Sequence, residues 1–367
     1  MKITRVECLV LANEHPIVRV ETDEGIVGWG ECFRRARAVA KPAIDDFFAP
    51  ALLDQDPLEV ELLHRRLMGM AQVTGPPGSL AVVIAGLDIA LWDIRGKALG
   101  QPIWKLLGGR VRDRIPVYAS SLRRDLSPVE EARRVAGFVE QGYRAYKLHS
   151  AVPGRIDDPG DRTLDTVREI RAAVGPDVRL LIDVNGAYSV HHAIDIGRRL
   201  EELGAFVFEC PVPEHDHRGT RQVADALTIA VAVGESHFTA REFQALLEEG
   251  RPDILQPDVV KAAGLTELQK IAQLAALART PMTAHNTQPT ICTAAHLHFC
   301  AVHPHVPYEQ EYNIEPVSIR DRWPILPGQI EVLNGHIAVP DGPGLGIEVD
   351  EKLVRQLVHR TDVQPGH

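Results

Sequence analysis

Asp183, Glu209 and Glu235 are the residues from which chemistry can first be read. Each closes a short apolar run: Leu180-Leu181-Ile182, Phe206-Val207-Phe208 and Val231-Ala232-Val233-Gly234 respectively. Both intervals between the acids are 26 residues. If the runs are successive strands of one repeat, the acids end side by side. Three anions held together in a low-dielectric site repel strongly. A hard divalent cation resolves the conflict, and all-oxygen donors select magnesium, with manganese possible, over zinc.

Proton-transfer groups close two further runs. In Lys147-Leu148-His149, period-two alternation puts Lys147 and His149 on one face. Thr283-Ala284-His285-Asn286 ends in a histidine, and Gln256-Pro257-Asp258 on the preceding run ends in an acid. A carboxylate beside an imidazole fixes its tautomer and raises its basicity, so Asp258 and His285 are expected to form a dyad. Bases on two sides of a cation suit removal of the α-proton of a hydroxy-carboxylate. A cation favours the resulting enediolate over the ground state, and a base near neutrality takes the proton.

Such residues need a scaffold whose strand ends converge. Strand-like runs at 116–119, 145–149, 179–185, 206–211, 229–235, 253–258, 282–286 and 307–311 alternate with helical runs. The period is about 25 to 35 residues, one β/α unit. Strict alternation predicts an α/β protein with a (β/α)8 barrel of the TIM type, whose catalytic groups gather at the C-terminal ends of the strands. No glycine-rich dinucleotide fingerprint opens any unit, which argues against a doubly wound sheet. Ahead of the barrel, three strand-like runs and helical runs at about 41–53, 57–69 and 80–99 predict an α+β domain. The expected division is 1–112 for that domain, 113–315 for the barrel and 316–367 for a tail packing back on the first domain.

The 367 residues carry a formal charge of −10, which argues against nucleic acid or an anionic membrane surface as a partner. Cys8, Cys32, Cys210, Cys292 and Cys300 show no paired spacing and read as free thiols of a reducing cytoplasm. The pairs His296/His298 and His303/His305 close no strand, so they read as surface or packing residues rather than zinc ligands.

Further motifs carry a resemblance. They are Val20-Glu21-Thr22-Asp23-Glu24-Gly25-Ile26-Val27-Gly28-Trp29-Gly30-Glu31, Asp88-Ile89-Ala90-Leu91-Trp92-Asp93-Ile94-Arg95-Gly96-Lys97, Gly100-Gln101-Pro102 leading to Leu107-Gly108-Gly109, and Gln256-Pro257-Asp258 followed by Gly264-Leu265-Thr266-Glu267. With these, nearly the whole chain resembles the mandelate racemase and muconate lactonizing enzyme family of the enolase superfamily. The resemblance implies a cap closing over a modified barrel, magnesium held by Asp183, Glu209 and Glu235, and a homo-oligomer. Asp258 with His285, where lactonizing relatives carry a lysine base, places the chain with the racemase-like subgroup, and Lys261 then reads as structural or surface. Glu311 resembles the acid that hydrogen-bonds the substrate carboxylate, with Glu309 as the alternative, and Asn185 sits as in racemase-like members.

Two features depart from relatives. His149 stands where many carry a second lysine, and galactonate dehydratase-like members have a histidine at the place of Asn185. The first loop, Ala12-Asn13-Glu14-His15, is short and leaves room for a longer polar acid; His15 and Arg34 are expected to bind it, and Arg34, Arg35 and Arg37 are expected to reach a distal hydroxyl or second carboxylate. The expected reaction is dehydration of an acid sugar to a 2-keto-3-deoxy acid. Racemisation, epimerisation or cycloisomerisation is the alternative, and a non-catalytic binding barrel the remote one.

Overall fold

The computed structural model describes residues 1–75 and 78–358; residues 359–367, the end of the 316–367 segment, lie outside the described residues. The chain opens with an antiparallel meander of β1 (Ile3–Leu11), β2 (His15–Thr22) and β3 (Val27–Glu31). The helix Gly78–Ala98 lies against β3 and is buried on most of its faces. The approach is close enough to require glycine: a Cβ on Gly30 would sit 1.9 Å from the Gly86 carbonyl oxygen.

The barrel follows as β4 (Arg114–Ser120), β5 (Ala145–His149), β6 (Arg179–Asp183), β7 (Val207–Glu209), β8 (Ala230–Val233), β9 (Ile254–Leu255) and β10 (Gln310–Asn313). All run parallel in the order β10-β4-β5-β6-β7-β8-β9, with helices between them. Two of those helices start at full capping boxes, Ser127 with Glu130 and Thr239 with Glu242. Each cap contributes about 1 kcal/mol and fixes where the chain turns away from the strand end before it. The tail returns as β11 (His336–Ala338), antiparallel to β4. A last helix, Glu351–Leu357, then reaches the β1–β2 turn, where the Ala12 N–H donates to the Leu357 carbonyl.

The expected strand at 282–286 is not a regular strand. Its Met282 forms a single bridge to Leu255, and the Thr283 N–H donates to the Leu255 carbonyl at 2.9 Å. On its other side the Met282 N–H donates to the His305 carbonyl at 2.9 Å, and beyond it side chains replace the ladder. Gln310 Oε1 accepts the Ala284 N–H at 2.6 Å, and Glu311 Oε2 accepts the Asn286 N–H at 2.7 Å. Alternation along a strand cannot reveal that its neighbour will pair through side chains.

Inside the barrel, Tyr118, Ala145, Leu181, Val207, Ala232 and Ile254 form one apolar layer. Two residues later on three of these strands stand Lys147, Asp183 and Glu209, so the pleat stacks the polar layer directly on the apolar one.

Cap and barrel are joined by buried polar contacts. Trp92 Nε1 donates to Thr266 Oγ1 at 2.9 Å, and Asp88 accepts the Thr266 N–H at 3.0 Å, at the start of the barrel helix Leu265–Ala278. His64 Nδ1 lies 3.1 Å from Asp88 Oδ1, and its Nε2 lies 3.4 Å from Glu267 Oε2, an ion-pair distance rather than an aligned hydrogen bond. Burial disfavours the imidazolium, yet Asp88 and Glu267 outweigh it and lift His64 to about 9. A raised histidine stabilises fully below its unfolded value of about 6.5, and that contribution is lost as pH rises through about 9. The contribution is about 3 kcal/mol. Unfolding free energy should therefore fall more steeply between pH 6.5 and 9 in the wild type than in His64→Asn. Equal slopes in denaturant titrations would show that this cluster does not couple cap to barrel.

Candidate active site

The three acids singled out by spacing come together. Asp183, Glu209 and Glu235 offer carboxylate oxygens that all lie within 4.8 Å of one another. The backbone turns sharply after each strand to aim them. Cys210 and Asn185 take left-handed φ of 43° and 45°, and Gly234 sits at φ 136°, where a side chain would meet the Phe243 ring and the Gln256 N–H. Non-glycine residues in this region store strain, and such strain gathers at functional sites.

Lys147 stands at the inner wall of the cluster. Its Nζ lies 2.7 Å from Glu209 Oε1, 2.8 Å from Glu311 Oε1 and 3.8 Å from Asp183 Oδ2. Burial opposes its charge, but Glu209 and Glu311 push the ammonium well above the usual lysine range. Glu311 also accepts from Ser120 Oγ at 2.6 Å, whereas Glu309 pairs with Arg179 at 2.8 Å, away from the cluster. Ser120 and Asn286 complete the grip on Glu311, which is therefore placed to fix Lys147.

Two imidazoles flank the acids. His149 Nε2 lies 2.7 Å from Asp183 Oδ2, and its Nδ1 donates to the Ser121 carbonyl. His285 Nε2 lies 3.0 Å from Glu235 Oε2, and its Nδ1 lies 2.6 Å from Asp258 Oδ2. Both rings thus have Nδ1 anchored and Nε2 turned inward. Burial works against the His285 imidazolium, but Glu235, with Glu311 and Asp258, carries it to about 10. Asp183 is buried, yet His149 and Lys147 hold it down to about 2. Burial likewise fails to raise Glu235, because His285 and Lys261 hold it well below the carboxylate range. Glu209 behaves differently. Burial, then Asp183, Glu311 and Glu235, push it well above that range in spite of Lys147.

Glu209 Oε2 is buried with no hydrogen-bond partner among the described residues. A buried, unpartnered carboxylate oxygen beside two other acids is the donor set a hard divalent cation requires. The residues therefore fit such an ion. A second group, Asp258 with Cys292 and His296, is also compact. It fits a metal poorly. Asp258 already takes His285 Nδ1 and the Val260 N–H, and burial keeps the Cys292 thiol protonated.

The remaining expectations divide. Asn185 folds back on Asp183, donating from its N–H at 2.8 Å and from Nδ2 at 3.0 Å. His15 and Arg34 meet through Glu14, at 3.3 Å and 3.7 Å. The Arg34 N–H donates to Gln288 on the barrel loop, so both lie at the seam between cap and barrel. Lys261, read from the sequence as structural or surface, is buried with Nζ 3.4 Å from Glu235 Oε1. It reaches Glu235 because the chain turns back after Asp258 instead of continuing outward, with the Lys261 N–H donating to the Asp258 carbonyl.

Three contributors carried no signal in sequence. Ser121 acts through its backbone carbonyl. Arg124, on the loop after β4, donates to Asn185 Oδ1 and the Ala151 carbonyl. His296, read only as half of a helical histidine pair, has Nε2 3.5 Å from Asp258 Oδ1, the oxygen that also accepts the Val260 N–H.

Comparison with known proteins agrees with this geometry. Residues 10–108 match the mandelate racemase / muconate lactonizing enzyme N-terminal domain, and residues 129–353 match the enolase C-terminal domain-like family. The chain is 36% identical to D-galactarolactone cycloisomerase of Agrobacterium fabrum, over 94% of this chain and 91% of that one. It is 31% identical to arabinonate dehydratase of Saccharolobus solfataricus, again over 94% and 91%. A mandelate racemase/muconate lactonizing protein of Paracoccus denitrificans, solved in complex with magnesium, superposes with a TM-score of 0.90 at 35% identity, covering 97% of this chain and 96% of that one. Among the described residues no helix is long and apolar enough to cross a membrane.

Proposed function

We propose, because this chain belongs to the mandelate racemase / muconate lactonizing enzyme family of the enolase superfamily, that it dehydrates an acid sugar to a 2-keto-3-deoxy acid. The chain is an enzyme. The observation that carries the reading is the pair of imidazoles. Each has Nδ1 anchored from behind and Nε2 aimed into the carboxylate cluster, one from β5 and one from the far side beyond β9. A reaction that removes one proton and delivers another needs two such groups.

Asp183, Glu209 and Glu235 would hold magnesium, or manganese, which when bound offsets the charge that builds on the substrate carboxylate as the α-proton leaves. His285 takes that proton at Nε2 as a neutral imidazole, since Glu235, the strongest of the charges that raise it, would then be committed to the ion instead of the ring. Asp258 keeps the opposite N–H fixed and favours the imidazolium that forms, support that His149 lacks, since its anchor is a neutral carbonyl. Lys147, fixed by Glu311, presents its ammonium to the same carboxylate and stabilises the enediolate. His149 then donates a proton to the β-hydroxyl. The C–O bond breaks, water leaves, and the enol gains a proton at carbon 3 as its carbon-2 hydroxyl gives one up, which yields the keto acid. Asn185, Arg34 and His15 contribute to holding the sugar chain.

A second reading, cycloisomerisation, is supported by the relative from Agrobacterium fabrum. Both begin with the same proton abstraction. Incubation with a panel of acid sugars and magnesium separates them, with 2-keto acid as the expected product. Solvent deuterium entering unchanged substrate without keto acid would replace dehydration by racemisation. A lactone opening or closing without loss of water would replace it by cycloisomerisation. No turnover of any acid by magnesium-loaded protein would leave only a binding barrel.

A further inference from the structure

A cavity of about 320 Å³ leads outward from the flank of the carboxylate cluster. The cap supplies Phe33, Arg35 and Val82, and the barrel supplies Ser236, Phe238 and Lys261. Its inner wall is part of the site already described. Ser236 follows Glu235 in the chain, and Lys261 Nζ lies 3.4 Å from Glu235 Oε1. The Lys261 ammonium also sits 5.1 Å from the centre of the Phe33 ring, so Phe33 closes the cavity over it.

The charge pattern along this route is unusual for a pocket beside three acids. Lys261 is committed to Glu235, but Arg35 has no hydrogen bond or ion pair among the described residues. Arg124 is near enough to Arg35 to be repelled by it, and it feels the charges of Asp183 and Glu235. An unpaired guanidinium beside two other cations is stable only because it is exposed. It gains most from an arriving anion. Guanidinium offers a planar fork that matches a carboxylate at two points. The walls beyond it are apolar: Phe33, Val82 and Phe238 suit the carbon chain of a slender acid better than the full hydration shell of a phosphate. The volume is at the lower end of ligand pockets, enough for the outer carbons and terminal group of a substrate whose first carboxylate lies at the cluster.

The geometry points to a subsite for a second, distal carboxylate, with Arg35 as its receptor, so that the preferred substrate is a dicarboxylic sugar acid rather than a monocarboxylic one. This rests on the acid-sugar reading above. Lys261 sets the inner limit of the subsite, Ser236 offers a hydroxyl to the chain between the two carboxylates, and Phe33 excludes water from it.

The test compares a six-carbon aldarate, the aldonate of the same configuration and that aldonate phosphorylated at its far end, with wild type and Arg35→Met. In the wild type, kcat/KM for the aldarate should exceed that for the aldonate. In Arg35→Met the ratio of the two should fall by about 10- to 100-fold, chiefly through KM, as expected for loss of one charge-assisted pair. Arg35 is exposed and takes no part in the core, so the variant is expected to fold. Melting temperatures with magnesium and each acid supply an independent readout. Turnover of aldonates with no aldarate preference, or an unchanged ratio in the variant, would overturn the subsite and leave the dehydratase reading intact. Preference for the phosphorylated acid would overturn the dicarboxylate. Turnover of none of the acids, with an aldarate-induced melting shift that Arg35→Met abolishes, would sink the dehydratase reading and keep the subsite. No turnover and no shift would sink both.

Discussion

The Glu209→Gln protein is expected to lose turnover by about 10³-fold or more while unfolding, in metal-free buffer, at no lower a temperature than wild type. Glutamine preserves the shape of the side chain, and Lys147 keeps Glu311 as a partner at 2.8 Å. What changes is the charge. Glu209 is the member of the cluster that burial and its neighbouring acids disfavour most as an anion, and its Oε2 has no hydrogen-bond partner among the described residues. Removing one anion from a crowded set relieves repulsion, so the metal-free fold loses nothing by it. A functional site retained at the expense of stability behaves in this way. Magnesium should raise the melting temperature of the wild type, since a ligand that binds only the folded state stabilises it by about 2.7 kcal/mol at 100 times its dissociation constant. The same addition should leave Glu209→Gln unmoved. Calorimetry with and without magnesium checks both halves. A variant that melts well below wild type yet still responds to magnesium would show that Glu209 is a structural partner of Lys147 and not a ligand.

That cluster was legible in the sequence because the barrel converts spacing into proximity. Acids that close consecutive strands of one repeat must meet at one end of the barrel, whatever the loops do. Lys147 and His149 were legible for a similar reason, since the pleat puts alternate residues of β5 on one face. Asp258 and His285 followed from strand order alone.

Where contact depends on loops or on the backbone, the sequence was silent. Arg124 and Lys261 reach the site only because the chain bends back after β4 and after Asp258. Ser121 contributes a carbonyl that every residue possesses. Pairing of the 282–286 segment through Gln310 and Glu311 needs two side chains to replace a ladder, and no periodicity encodes that. His296 was visible only as part of a helical pair. Its contact with Asp258 comes from the way the helix Ile291–Val302 docks.

The dyad yields the second large effect and the assignment of roles. His285→Asn is expected to lower kcat by about 10³- to 10⁴-fold, and Asp258→Asn by about 10²- to 10³-fold. The milder loss at 258 follows from its position behind the ring. Asparagine there can turn its amide N–H toward Nδ1, which moves the ring proton to Nε2 and leaves no lone pair facing the substrate. Residues that act as one unit are not additive, so Asp258→Asn in the His285→Asn background should cost less than about 2-fold further.

Exchange of the α-proton with deuterated solvent then separates the two imidazoles. If His285 removes the proton, His285→Asn loses exchange and elimination together. His149→Asn keeps exchange and loses elimination, because the enediolate still forms but the hydroxyl is not protonated as it departs. The opposite pattern would assign the base to His149 and make the carboxylate behind His285 a support for an acid. Exchange surviving in both variants would mean that neither ring is required to remove the proton and would overturn the assignment of either imidazole as the base.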